Sequence, residues 1–117
     1  MAKKVTLYGI PNCDTVKKAR AWLDAQGVTY EFHDFKKQGL DPALAQDWLK
    51  TLGPEVLINR KGTTWRKLDQ ARQAQAAAPA GALALMLEQP SVIKRPVLDR
   101  DGDLSVGFAP DTYAKYF

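Results

Sequence analysis

Gly9-Ile10-Pro11-Asn12-Cys13-Asp14-Thr15-Val16-Lys17-Lys18 is the stretch whose reading decides the rest. The apolar run Val5-Thr6-Leu7-Tyr8 precedes it, and a pattern with Val16, Ala19 and Leu23 at helical spacing follows. A strand, a tight Gly/Pro loop and a cysteine at a helix start make a favourable place for a thiolate. The first amides of a helix lack intrahelical partners and the macrodipole is positive there, so negative charge on sulfur is stabilised. A buried structural thiol is the commoner fate of a lone cysteine. Asn12 and Asp14 on either side of Cys13 argue against burial.

Outward from this loop, Lys4 to Tyr8 reads as a buried strand and Asp14 to Gln26 as a helix stopped by Gly27. Val28-Thr29-Tyr30-Glu31-Phe32-His33 alternates, which puts Val28, Tyr30 and Phe32 on one face of a second strand. Strand, helix and strand within so short a span predict a βαβ unit with parallel strands. Asp41-Pro42 reads as an N-cap and first-turn proline, opening a helix with Leu44, Trp48, Leu49 and Leu52 on one side. Val56-Leu57-Ile58 reads as a helical turn, and a threonine of Gly62-Thr63-Thr64 is available to cap a short helix through Trp65 and Leu68. Residues 69–78 favour a surface helix and residues 80–89 a second, broadly apolar one.

The end of the chain changes character. Val92 to Leu98 reads as extended, Asp99-Arg100-Asp101-Gly102-Asp103 as a turn, and Leu104 to Phe108 as a returning strand, a hairpin with an Asp-Gly signal. The Asp-rich turn lacks the later ligands and the closing glutamate of a calcium loop. A short helix over 110–116 ends the order. The sum is β-α-β, a helical middle, then β-β-α: an α/β, thioredoxin-like (glutaredoxin-like) mixed four-stranded sheet with a helical insertion. It is expected to form one domain over residues 1–117, with thioredoxin-like parts at about 1–38 and 90–117 and the insertion at about 39–89.

At 117 residues, 45% hydrophobic and 26% charged, the chain can bury a core without disulfides or metals. It has no run long enough to span a membrane, and Met1-Ala2-Lys3-Lys4 leads into a strand instead of a signal sequence. One cysteine cannot pair internally, which fits a reducing, cytoplasmic setting. The net charge is +4, with cations clustered at Arg60-Lys61, Arg66-Lys67 and Lys94-Arg95. Nucleic-acid binding, a solvated basic surface and a site for small anions all fit that balance. His33, the lone histidine, has no ligand partners at metal spacing and reads as structural or exposed.

Leu7-Tyr8-Gly9-Ile10-Pro11-Asn12-Cys13-Asp14-Thr15-Val16-Lys17-Lys18-Ala19, Gly62-Thr63-Thr64-Trp65-Arg66-Lys67-Leu68, Ile93-Lys94-Arg95-Pro96 and Gly107-Phe108 together resemble the ArsC/Spx family, in order and across nearly the whole chain. Within it, they are most similar to the YffB-type arsenate reductase-like branch. The resemblance implies the thioredoxin-like fold with its insertion, a catalytic Cys13 and a cis-proline at Pro96 beside the active loop. It also implies glutathione as reducing cosubstrate, glutaredoxin as a further partner, and no metal or bound prosthetic group.

The family's arsenate reductases hold the oxyanion with three arginines. Here the first position falls on Asn59, next to Arg60, the second is matched by Arg95, and the third falls in Gly107-Phe108. The family's loop histidine is replaced by Gly9. Arginine forks bind tetrahedral oxyanions bidentately, so losing two of three weakens binding and charge stabilisation. The regulator branch, which touches RNA polymerase, carries a Cys-x-x-Cys switch, whereas Val16 and Ile10 stand at the two possible second positions.

A glutathione-dependent monothiol oxidoreductase is therefore expected, with Cys13 attacking a disulfide or related substrate and an outside thiol closing the cycle. Arsenate reduction and a non-catalytic Spx-like protein-binding module are the alternatives. Asn12, Thr15, Lys17, Arg60, Arg95 and Pro96 are the candidate substrate contacts. Asn12 and Thr15 equally suit loop stabilisation, Lys17 equally suits a solvated face, and Arg95 gains from adjacency to the expected cis-proline. The substrate is expected to be small and anionic or a disulfide. The protein is expected to be monomeric, with neither nucleic acid nor membrane as partner.

Overall fold

The structure, a computed structural model, describes residues 4–117. It divides into two compact units: the chain through Gln38 together with Arg95–Phe117, and Gly39–Lys94. Residues 90–94 thus go with the helices.

The first unit is built on a sheet of order β2-β1-β3-β4. β1 (Val5–Gly9) pairs parallel with β2 (Glu31–Asp34) and antiparallel with β3 (Val97–Arg100), which pairs antiparallel with β4 (Asp103–Val106). It is the mixed, thioredoxin-like sheet. Leu7 stands opposite both Phe32 and Leu98, so one face of the three strands carries a continuous apolar row. Val5, Leu7 and Leu98 meet Ala19 and Leu23 of α1 (Asp14–Ala25) and Tyr113 of α8 (Pro110–Tyr116), all six buried. The Tyr113 ring packs edge-on to Phe108 at 4.7 Å and to Trp22 at 5.7 Å. On the opposite face the Tyr8 ring meets His33 at 5.0 Å, so the lone histidine sits half-buried in an aromatic stack.

The second strand starts later than its alternation suggests, at Glu31 instead of Val28. Val28, Tyr30 and Phe32 do pack on one side against the core, but the ladder to β1 begins only at Thr6↔Glu31. A short α2 (Phe35–Gln38) follows directly. Asp34 Oδ1 accepts from the Lys36 amide at 2.9 Å, and Gln38 Oε1 accepts from the Asp34 amide at 3.0 Å, a reciprocal cap.

The hairpin is tighter than the sequence suggests. Its loop is only Asp101-Gly102, with φ of 55° and 98°, the two left-handed residues of a type I′ turn. Extended structure also begins later than Val92. Pro90–Val92 is a 3₁₀ turn, and Ile93 forms an antiparallel bridge with Ile58. The Asn59 amide donates to the Val92 carbonyl at 2.8 Å and the Lys94 amide to the Leu57 carbonyl at 2.7 Å, drawing 92–94 into the helical unit.

That unit holds α3 (Pro42–Leu52), α4 (Pro54–Leu57), α5 (Thr63–Arg66), α6 (Gln70–Gln75) and α7 (Pro79–Glu88). Asp41 caps α3 by accepting from the Ala43 amide at 3.0 Å, and Pro42 opens the helix. Ala45, Trp48 and Leu49 are the buried side of α3, which packs against α7, where Ala82, Leu85 and Met86 are buried. No threonine caps α5. Gly62 occupies the N-cap, so the cap residue has no side chain to accept from the first-turn amides, and its own amide donates to the Asn59 carbonyl at 3.3 Å.

Candidate active site

β1 ends at Gly9, and the chain then turns through Ile10–Cys13, closed by the Cys13 amide donating to the Ile10 carbonyl at 3.2 Å. Cys13 is the N-cap of the twelve-residue α1, its backbone still extended (φ −85°, ψ 126°) while its carbonyl accepts the first helical bond from Lys17 at 2.9 Å. The neutral thiol makes no capping hydrogen bond. The ionised sulfur has three favourable neighbours. Partial burial pushes the Cys13 pKa up, but the Val16 amide, the Arg95 guanidinium and the Thr15 amide outweigh it, and the thiol lies below its ordinary value.

Arg95 comes to this sulfur from just ahead of β3 (Val97–Arg100). The Arg95-Pro96 peptide is cis, Pro96 is buried, and its carbonyl accepts from the Gly107 amide at 2.9 Å. Val97, immediately after, pairs with Tyr8 of β1 and Val106 of β4. The start of β3 is thereby fixed beside the end of β1, and the half-buried Arg95 side chain meets Cys13.

Of the sequence candidates, Asn12, Cys13, Thr15, Lys17, Arg95 and Pro96 lie in the sheet unit and Arg60 in the helical unit. Cys13 and Arg95 are in direct interaction, and Thr15 contributes its amide. Asn12 is exposed at the loop tip and Lys17 on the surface of α1; among the described residues neither side chain forms a hydrogen bond or ion pair. Arg60 is exposed, its guanidinium 5.6 Å from the centre of the Trp65 ring. Sequence reasoning did not single out Val16 for its backbone, although its place three residues past a helix-start cysteine is the standard position for an amide that faces the cap.

The two missing arginines and the missing loop histidine also have physical reasons. Asn59 holds its own turn, its Oδ1 accepting from the Lys61 amide at 3.2 Å. Gly107 has φ of +81°, a conformation side chains resist, and Phe108 is packed on Tyr113. At Gly9 a Cβ would lie 2.8 Å from Val16 Cγ2, so no histidine fits there while Val16 is present.

The ArsC family model matches residues 8–116. The chain belongs to the ArsC family. Among solved structures, this ArsC-family chain is similar to an arsenate reductase (ArsC) related protein from Brucella melitensis, at 53% identity and a TM-score of 0.80 over 100% of this chain and 97% of that one. It is similar also to the YFFB (PA3664) protein, at 51% identity and a TM-score of 0.90 over 96% and 97%. An uncharacterized protein of Haemophilus influenzae is 38% identical over 113 residues, covering 97% of this chain and 98% of its own. Streptococcal proteins named global transcriptional regulator Spx stand further off, at 26–28% identity. The family and a helix-start cysteine with an arginine on its sulfur describe a thiol-based, reductase-like site. Among the described residues no cluster of His, Cys, Asp and Glu could hold a metal ion, and no helix is long and apolar enough to cross a membrane.

Proposed function

We propose that this ArsC-family protein is a cytoplasmic, monomeric monothiol oxidoreductase that uses glutathione as its reducing cosubstrate. The observation that supports it is the acidified Cys13 thiol, held between the first amides of α1 and the Arg95 guanidinium. The Cys13 thiolate attacks the glutathionyl sulfur of a mixed disulfide, forming a Cys13–glutathione disulfide and expelling the substrate's other sulfur as a thiolate, which takes a proton from water. A second glutathione thiolate then attacks the glutathionyl sulfur of that adduct. Oxidised glutathione leaves and Cys13 is regenerated as thiolate. The substrate disulfide is reduced by two electrons, both supplied by glutathione.

With no second cysteine in the chain, the resolving thiol must come from outside, as glutathione or through glutaredoxin. Arg95 serves both steps: it stabilises the attacking thiolate, and it stabilises Cys13 again as leaving group. In this reading the backbone leading into Pro96 pairs with the peptide part of glutathione, and Asn12, Thr15 and Lys17 are further candidate contacts. Arsenate is the weaker substrate reading, because Arg95 is the one cage position that keeps its arginine.

The test is incubation with oxidised glutathione followed by mass analysis. A single adduct on Cys13, absent in Cys13→Ser and reversed by excess reduced glutathione, is the expected result. An inert thiol contradicts it and leaves a non-catalytic binding module. Turnover of arsenate with glutathione and glutaredoxin, exceeding that of glutathione mixed disulfides, contradicts the substrate assignment.

A further inference from the structure

Gly9 ends β1 and Val16 lies in the first turn of α1, and the two interlock. Val16 is fully buried, and its Cγ2 occupies the space beside Gly9, 2.8 Å from where a Cβ on that residue would stand. Real Cβ contacts essentially never come that near, and Val16 has no slack: it is β-branched, stiff at χ1 and closed in on all sides. Gly9 itself is held by its strand, with Asp34 opposite it and Tyr8 next to it paired to both His33 and Val97. Any side chain at position 9 must therefore push the first turn of α1 away from the sheet. That turn carries Cys13 and the Val16 and Thr15 amides facing it, while Arg95 approaches the same sulfur from just ahead of β3, which is anchored to β1 through Val97 and Tyr8.

We propose that Gly9 and Val16 are a matched pair of positioning residues, whose contact seats the first turn of α1, and with it the Cys13 sulfur, at its distance from Arg95. The inference rests on the reading of Cys13 as a nucleophilic thiolate and adds what holds its stabilising groups in place. It also accounts for glycine where the family resemblance calls for histidine: the space is used by Val16, and the sulfur is served by amides and Arg95 instead of a loop imidazole.

The test is the pH dependence of Cys13 alkylation by iodoacetamide in the unaltered protein, Gly9→Ala, and Gly9→Ala combined with Val16→Ala. The expected result is an inflection below the ordinary thiol value in the unaltered protein, moved upward in Gly9→Ala with a several-fold slower rate at neutral pH. The double variant, with room restored for the added methyl, returns toward the original profile. A merely packing glycine would lower the unfolding midpoint of Gly9→Ala without moving the inflection, and that outcome overturns the proposal. If Gly9→Ala does not fold, the double variant decides: folding with a low inflection supports the pair, and folding with an ordinary one overturns it. An ordinary inflection in the unaltered protein overturns the reading of Cys13 itself, a result distinguishable from failure of the Gly9–Val16 pair alone.

Discussion

The loop ahead of α1 and the turn at Asn59–Lys67 are both small, polar and served by arginine, yet they use arginine differently. At the loop, Arg95 faces a titratable atom and lowers the pKa of Cys13 together with two helix-start amides. At the turn, Arg60 lies over Trp65, Arg66 donates to the Lys61 carbonyl at 2.6 Å, and Asn59 accepts from the Lys61 amide. Those cations hold a shape. The denser cluster of charge in the sequence is thus the one whose side chains stabilise their own turn, and Arg95, in the smaller Lys94-Arg95 pair, is the one that meets chemistry.

The largest signature of that contrast is in Arg95→Ala. Removing the guanidinium should raise the Cys13 pKa toward its ordinary value and lower the thiolate fraction at neutral pH. Alkylation rates across pH measure this, and an unchanged profile would break the comparison.

Building the missing cage arginines should not turn either region into an oxyanion site. Gly107→Arg forces a side chain into a φ of +81°, at a cost of roughly 1–2 kcal/mol in unfolding free energy, with no gain in arsenate turnover. Asn59→Arg gives up the bond to the Lys61 amide and should cost about 1 kcal/mol by denaturant melt. Robust arsenate turnover in either variant would mean that the arginine pattern alone decides the substrate.

Arg60→Ala tests the other side of the contrast. Losing a partly exposed cation–π contact should lower stability by only about 0.5–1 kcal/mol while shifting Trp65 fluorescence.

The smallest effect concerns stability against pH. The folded Cys13 pKa lies below the ordinary value, so between the two the unfolded chain holds a proton that the folded chain has released. Stability relative to Cys13→Ser should therefore rise with pH through that window, be complete above the unfolded pKa, and vanish as pH falls through the folded one. Paired denaturant melts across neutral to alkaline pH measure it; a flat difference contradicts the direction of the shift.

Much of this was legible in residues whose signals are local. The Asp41-Pro42 cap and the Gly27 stop after α1 act locally and are where the sequence places them, and the Asp-Gly signal marks the hairpin, though its turn is shorter than 99–103. The misread segments depend on partners far along the chain. β2 begins where its ladder does, at Glu31 opposite Thr6, and 92–94 join the helical unit because Leu57 and Asn59 take up their backbone groups. Alternation within a strand cannot show its register. At the site, the cysteine at a helix start was visible in one short stretch. The Gly9–Val16 interlock was not, since a glycine next to a loop reads as turn chemistry until the distance to Val16 is known.

The account stands most directly on the protonation state of Cys13. Rates of iodoacetamide alkylation of the intact protein across pH should inflect below the ordinary thiol value, and the inflection should move up in Arg95→Ala. An inflection at or above the ordinary value, unmoved by Arg95→Ala, would contradict it.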